Sequence, residues 1–371
     1  MTRKHDFFKA NFIYLIILLG FVSIRIISAL DALSFMGEFG SYLMNIILQI
    51  GLLFVLPMLL YPRLRKTSFK TNAKDLGYKK ISFVAVLIAM AIGVVVYILN
   101  IGVSSFFNFI ITLLGYEKFT STTSTAYPTY MLFVNLLFTA VLPAICEETT
   151  HRGMLLHGYK ELGAKKAIFL SALLFGLTHL NIEQFFYATI IGLFLGLLTV
   201  MTSSIIPAII VHFMNNAISV VLGFFVSTNA KFAAQYTQFF TNITSGNFFV
   251  VICGMFLLVS LLLLLLGFLT WILIKHTAIA KFNSLANELT KKKLRQELMN
   301  EVDTIETPEA NSIAIGVEHN NKNLKIYFPI EEMGYPLERK YKTNYQDKAM
   351  LIACLSLASL ITLFTFIWGI I

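Results

Sequence analysis

The chain has 371 residues, of which 57% are hydrophobic and only 13% are charged, and its mean hydropathy is +0.75. Soluble domains carry roughly a quarter charged residues, so this composition excludes an ordinary soluble protein. The net charge is +9, but the Lys and Arg residues collect in loops between apolar segments, as they do in cytoplasmic loops of membrane proteins. We therefore expect a lipid bilayer, and not nucleic acid, as the environment of this chain.

Apolar runs in chain order predict an all-α, polytopic transmembrane helical bundle of about eight to nine spans. The first run follows a basic segment but is longer than the apolar region of a signal peptide, so it is predicted to be a retained helix. The run at 166–180 is short for a span and is expected to tilt or to lie inside the bundle. The runs cover about 11–30, 41–61, 82–102, 129–147, 166–180, 185–202, 205–226, 248–274 and 349–371.

Loop charge predicts the orientation of the bundle. Basic residues place the N-terminus, loop 62–80 and loop 152–166 in the cytoplasm, and residues 227–247 outside. The long polar insert is then also cytoplasmic, either as a tether or as a site for a protein partner. The predicted division is N-terminal transmembrane helices at 1–127, a core at 128–226, an additional transmembrane helix at 227–274, the insert at 275–348 and a C-terminal transmembrane helix at 349–371.

Three polar clusters fall within or at the edge of predicted helices: "EETTHR" at 147–152, "FGLTH" at 175–179 and "HFMNN" at 212–216. Ionisable residues at membrane depth are costly, and their presence indicates function. Each cluster belongs to a different predicted helix. If the three helices bring these faces together, they build a polar pocket inside an apolar bundle.

The spacing within the clusters is helical. Glu148 and Arg152 are four residues apart and face one another, and His212 and Asn216 lie one turn apart on one face. A buried carboxylate such as Glu147 can act as a general base towards water. A histidine and an asparagine one turn apart can both donate to one oxygen, as an oxyanion site requires. This combination favours a hydrolase.

Two other chemistries stay open at this point. Glu147, His179 and His212 could ligate a metal ion as a set of two histidines and one carboxylate, although the sequence contains no H-E-x-x-H motif. Cys146 could be a nucleophile, but no neighbour in the sequence would lower its pKa convincingly. A serine nucleophile is not indicated, because no G-x-S-x-G motif is present.

The three clusters resemble the motifs of the CPBP family, also called the Abi family, of CAAX proteases and bacteriocin-processing membrane proteins. "EETTHRG" matches its EExxxR motif, "FGLTH" resembles its FxxxH motif and "HFMNN" its HxxxN motif, in the family's order and spacing. The resemblance covers approximately 128–222. It implies an intramembrane endopeptidase of the glutamate type, with no metal and no other cofactor.

The resemblance also implies roles for single residues. Glu147 would be the catalytic base that activates water, and His179 would assist it. His212 and Asn216 would hold the tetrahedral oxyanion. Glu148 and Arg152 also belong to the first motif, and the physics of an ion pair fits a role in shaping the pocket or in meeting the carboxylate of the substrate.

The substrate implied by the resemblance is a membrane-associated peptide or protein. Eukaryotic members cleave prenylated CAAX proteins, whereas bacterial members are linked to bacteriocin immunity, peptide maturation and regulation. Frequent Lys, Asn, Ile and Phe favour an AT-rich genome and hence a bacterial plasma membrane. The alternative function is a non-proteolytic membrane scaffold or a bacteriocin-immunity or regulatory protein of the same family. A transporter is less favoured, because the outer halves of these helices offer few polar groups.

Overall fold

The computed structural model describes residues 6–30, 34–117, 128–244, 248–298, 312–319, 322–329 and 345–368. Within these ranges, eight helices are long and apolar enough to cross a membrane, which confirms the predicted polytopic helical bundle. The helices are α1 Asp6–Ala29, α2 Phe39–Arg65, α3 Phe69–Asp75, α4 Phe83–Leu113, α5 Thr129–Leu162, α6 Ala164–Thr178, α7 Ile182–Thr202, α8 Ile206–Thr228, α9 Ala230–Thr244, α10 Phe248–Leu298 and α11 Tyr345–Trp368. A two-stranded antiparallel hairpin joins β1 Ser312–His319 to β2 Lys322–Pro329.

Large apolar side chains cover the outside of the bundle, as they do on a surface that faces lipid. Phe83 is 73% exposed and Phe256 is 76% exposed, which water would penalise and acyl chains would not. Inside, the buried apolar residues form two clusters. One joins α1, α2, α5, α6 and α11, and the other joins α4, α7, α8 and α10. The three polar motifs lie on α5, α6 and α8, and so on helices from both clusters.

The helix that carries the first motif is longer than the sequence predicted. Hydropathy placed its end near residue 147, whereas α5 continues through the motif to Leu162. Two stretches of it, Leu136–Val141 and Thr149–Leu155, are π-helical. Such turns are rare and often occur at functional sites. The helix continues because the charged side chains of the motif find partners inside the bundle instead of in water.

The turn after α5 brings two motif residues to the same depth. Gly163 has φ +86°, a backbone conformation that favours glycine, and it reverses the chain into α6. Glu147 and His179 stand equally far from Gly163 along the two helices, about 24 Å at helical rise. The short helix predicted at 166–180 therefore forms a helical hairpin with α5.

Three other segments complete or differ from the predicted runs. Residues 103–115 were expected either to extend the third helix or to lie at the membrane interface, and they mostly extend the helix, because α4 reaches Leu113. The segment 227–247, predicted as an external loop, contains α9, whose aromatic rings contact one another at four-residue spacing. The insert begins as a continuation of α10 to Leu298, and the hairpin that follows was not predicted. The rest of the insert lies outside the described residues.

Candidate active site

Glu147 is a half-buried residue of α5 whose two carboxylate oxygens have different surroundings. Gln49 on α2 donates from Nε2 to Glu147 Oε1 over 3.1 Å. The second oxygen, Oε2, lies 4.0 Å from Nε2 of His212 on α8. The amide of Gln49 therefore fixes the carboxylate from one side and leaves the other oxygen facing the histidine.

Glu148 and Arg152 form a fully buried ion pair one turn apart on α5, with Arg152 Nη1 donating to Glu148 Oε1 over 2.8 Å. The same oxygen lies 2.9 Å from His212 Nδ1. A carboxylate in an ion pair accepts hydrogen bonds and does not donate them, so His212 carries a proton on Nδ1. Glu148 thus fixes the ring of His212 with Nε2 turned towards Glu147.

His179 lies just after the last residue of α6 and is held through both its ring and its backbone. Its Nδ1 donates to the carbonyl of Phe175 over 3.0 Å, because a carbonyl oxygen can only accept. Arg25 on α1 donates from Nη2 to the backbone carbonyl of His179 over 2.7 Å. Glu147 is close enough to interact electrostatically with the His179 ring. No side chain in the described ranges is seen to bind Nε2 of His179, which is therefore available to a water molecule or a substrate.

Phe175 is the aromatic centre of this site. Its ring makes edge contacts with His179 at 5.2 Å, with His212 at 5.8 Å and with His151 at 5.1 Å between centroids. The guanidinium of Arg152 lies over the same ring, 4.2 Å from its centroid. Edge contacts and cation–π contacts both stabilise such groups where water is excluded. One phenylalanine therefore packs the second motif against the other two.

Asn216 follows His212 by one turn, but its side-chain amide is bound elsewhere. Its Nδ2 donates to the carbonyl of Thr139 in the first π-helical stretch of α5 over 3.0 Å. Its Oδ1 accepts from Asn215 over 3.0 Å, and Asn100 on α4 donates to Asn215 over 3.3 Å. This chain of amides orients Asn216, and one amide hydrogen on its Nδ2 remains for another acceptor.

His151 lies on the same face of α5 as Glu147, but its contacts are with the protein itself and hold helices together. It is fully buried, with Nδ1 donating to the backbone carbonyl of Glu147 over 2.8 Å. Its Nε2 lies 3.0 Å from the hydroxyl of Thr178, which in turn bonds to Tyr14 on α1. These contacts tie α5 to α6 and α1, and both ring nitrogens are occupied.

The segment between α3 and α4 also contacts the motif helix. The hydroxyl of Tyr78 lies 2.5 Å from that of Thr149, the residue after Glu148. Burial raises the pKa of Tyr78 to about 12, because a phenolate would be poorly solvated there. Tyr78 therefore stays protonated at neutral pH and can donate at this position.

Sequence reasoning missed Gln49 and Tyr78 as neighbours of the motifs. It expected Arg25 to snorkel or to pair with an acid, whereas Arg25 donates to the carbonyl of His179. An amide or an arginine inside an apolar run is itself a signal. None of the three has a spacing relation to a motif, however, so the sequence could not connect them to the site. Each lies on a segment that precedes the motifs in the chain, and the packing of the bundle brings them together.

The alternative metal set consists of Glu147, His179 and His212. Across the described ranges, no group of three or more His, Cys, Asp or Glu side chains is placed to hold a metal ion. Within this set, Glu147 Oε2 and His212 Nε2 lie 4.0 Å apart.

Residues 129–218 match the family model described as Type II CAAX prenyl endopeptidase Rce1-like. This central segment is similar to that family, and residues 129–218 are called the Rce1-like domain below. The domain covers about a quarter of the chain, and the family consists of CAAX-type peptidases, so at family level the match supports a multi-pass membrane protease. No curated protein and no solved structure was found to be significantly similar to this chain. Every residue predicted for catalysis lies in the Rce1-like domain, whereas Gln49, Arg25 and Tyr78 lie before it.

Proposed function

We propose that the protein is an intramembrane endopeptidase of the glutamate type that cleaves a membrane-associated peptide or protein. One observation carries this proposal most strongly. Glu147 Oε2 and His212 Nε2 face each other across 4.0 Å, while Gln49 and Glu148 hold the two groups from behind. Two functional groups held side by side in fixed orientation are what water activation needs.

A separation of 4.0 Å is too long for a direct hydrogen bond, and it suits two groups that share one water molecule. In the proposed reaction, the Glu147 carboxylate takes a proton from this water while the water oxygen bonds to the carbonyl carbon of the scissile peptide. The same carboxyl then gives the proton to the leaving nitrogen as the carbon–nitrogen bond breaks. His179, with Nε2 free, helps to position the water.

The oxyanion that forms needs hydrogen-bond donors. His212 is bound to Glu148 through Nδ1 and turns Nε2 towards the position proposed for the oxyanion, and the ion pair with Arg152 keeps Glu148 in place as the acceptor of Nδ1–H. Asn216 supplies its remaining amide hydrogen. Donors fixed before the reaction begins stabilise the developing charge at little cost in reorganisation.

A non-proteolytic scaffold or immunity protein of the same family is the second candidate, and one observation favours it. Asn216 donates to the carbonyl of Thr139, so its amide is engaged away from His212. A protein that binds its partner without cutting it would keep such a contact. A protease would need Asn216 to donate to the substrate with its other hydrogen, or to exchange partners when the substrate binds.

The experiment is a comparison of the wild type with Glu147→Gln in cells, with membrane-associated peptides profiled by mass spectrometry. The matched control is Glu161→Gln, which removes a carboxylate from the end of the same helix, away from the site. We expect specific peptides to be lost in Glu147→Gln and kept in the control. Unchanged peptides together with an intact phenotype would favour the scaffold. A chelator arm tests the metal-free chemistry, since cleavage lost on chelation and restored by zinc would reject it.

We also propose that the basic end of the bundle faces the cytoplasm of a bacterial plasma membrane. The support is the concentration of exposed Lys and Arg in loop 62–80, as expected for cytoplasmic loops. A reporter fused after this loop should give a cytoplasmic signal. An external signal would reverse the proposed topology.

A further inference from the structure

A strongly basic surface surrounds the short helix α3. Six cationic side chains between residues 63 and 80 are exposed, and no carboxylate within the described residues pairs with any of them. We call these six residues the basic surface: Arg63, Lys66, Lys70, Lys74, Lys79 and Lys80. Their charge is therefore available to an external anion.

The acidic residues nearby are used inside the bundle. Arg65, which is buried, binds Asp75 at 2.7 Å and Asp6 at 3.1 Å, so the ion pairs of both carboxylates are with a buried cation and not with the basic surface. Partial burial of its stem and the neighbouring charge of Lys74 lower the pKa of Lys79, and Asp75 offsets part of this effect. An anion that docks here would relieve this repulsion.

Helix α3 turns one side towards the bundle and exposes lysines and a phenylalanine on the other. On the inner side, Asn72 and the following Leu76 are buried, and Asn72 donates to the carbonyl of Pro57 on α2. Lys70 and Lys74 lie one turn apart on the exposed face, and Phe69 beside them is 55% exposed. An exposed aromatic ring next to lysines is typical of helices that lie in the headgroup region of a membrane.

The segment that follows α3 connects two parts of the candidate active site. Tyr78 bonds to Thr149 on the motif helix. On the other side, the backbone N–H of Ile205 donates to the carbonyl of Gly77 over 3.0 Å, and Ser204 donates to the carbonyl of Lys79 over 2.9 Å. Ile205 precedes α8, which carries His212. A ligand that orders this segment therefore acts on both helices of the site.

We propose that the basic surface binds the headgroups of anionic phospholipids, and that this contact steadies the segment 76–79 between α5 and the turn before α8. Charge and position identify this ligand, because the exposed lysines and the exposed Phe69 lie at one end of a membrane-spanning bundle. The headgroup chemistry is a phosphate diester with net negative charge. Each lysine near an anionic membrane surface strengthens binding by roughly fivefold.

The first experiment measures lipid binding by native mass spectrometry of the full-length protein in neutral detergent. We expect phosphatidylglycerol to bind more tightly than phosphatidylcholine. The variant Lys66→Gln/Lys70→Gln/Lys74→Gln should weaken phosphatidylglycerol binding by about 100-fold, whereas the control Lys231→Gln, which removes an exposed lysine from α9, should not.

Three results would overturn the proposal: equal binding of the two lipids, an unaffected triple variant, or displacement of the lipid by inorganic phosphate at similar concentration. Tighter binding of an acidic peptide than of phosphatidylglycerol would assign the surface to a protein partner instead.

The second experiment measures hydrogen exchange of the Ile205 amide with and without phosphatidylglycerol. We expect the lipid to slow this exchange severalfold in the wild type and not in the triple variant. Both experiments are repeated in Glu147→Gln, so that their outcome does not depend on whether the protein is a protease. Binding without any change in exchange would overturn the proposed effect on the segment 76–79.

Discussion

The hydrogen bond from Gln49 to Glu147 allows a sharp test of the proposed mechanism, because Gln49 lies outside the Rce1-like domain. We predict that Gln49→Leu lowers kcat and leaves KM almost unchanged. The leucine keeps the approximate volume of the side chain but removes the donor that fixes Glu147 Oε1. The base would then rotate among several orientations, and only some of them would present an oxygen towards the shared water.

The magnitude follows from the contact. Hydrogen bonds to charged groups contribute roughly 1.5–3 kcal/mol, which corresponds to about 10- to 100-fold in rate. Glu147 is half-buried, so water can replace part of the lost interaction, and we expect about tenfold. The cost in stability is small, because the amide oxygen of Gln49 is buried with no hydrogen-bond partner among the described residues. Leucine removes that unpaired acceptor.

The assay is cleavage of a peptide identified in the comparison with Glu147→Gln, measured in proteoliposomes together with the thermal midpoint in detergent. Asn45→Leu is the matched control. Asn45 lies one turn earlier on α2 and also has a buried, unpartnered amide oxygen, but it makes no described bond to Glu147. A kcat for Gln49→Leu within twofold of the wild type would refute the positioning role. A loss of equal size in both variants would point to a packing defect in α2.

Three further predictions concern the motif helices. Glu148→Gln should destabilise the protein by about 3–5 kcal/mol, because it leaves the buried Arg152 without its carboxylate. The double variant Glu148→Gln/Arg152→Met should regain most of the thermal midpoint. It should not regain cleavage. Gly176→Ala should lower the midpoint, because a Cβ there would lie 2.7 Å from a backbone carbonyl of α7, whereas Gly223→Ala, which meets open space, should leave it unchanged or higher. Asn216→Ala should reduce kcat by about 100-fold or more at unchanged KM, and an unchanged kcat would contradict its place in the oxyanion site.

The apolar runs were sufficient to predict the architecture, because a span needs about twenty apolar residues whatever its neighbours are. Local spacing also predicted which residues face each other on one helix. Glu148 and Arg152, four residues apart, form the ion pair that this interval indicates. These inferences succeed because they depend only on the geometry of a single helix.

The contacts between side chains of different helices could not be predicted from the sequence. Gln49 reaches Glu147 and Arg25 reaches His179, but these contacts depend on how far α1 and α2 are shifted along α5 and α6. No residue pattern within either partner specifies that shift. The hairpin of β1 and β2 was missed for a different reason, since its strands lie in a polar insert where the apolar signal is weak.

The end of α5 shows why hydropathy misplaced the most important boundary. A hydropathy reading counts each charged residue as unfavourable in a span, whatever its partners. Glu148 is paired with Arg152 and with His212, so the helix carries this polar turn inside the bundle and continues to Leu162. The same continuation places Glu147 near the middle of α5, at the same depth as His179 at the end of α6. A boundary at 147 would have left the base at the end of its helix and far from that histidine, so the continuation of α5 to Leu162 also accounts for the equal depth of the two residues.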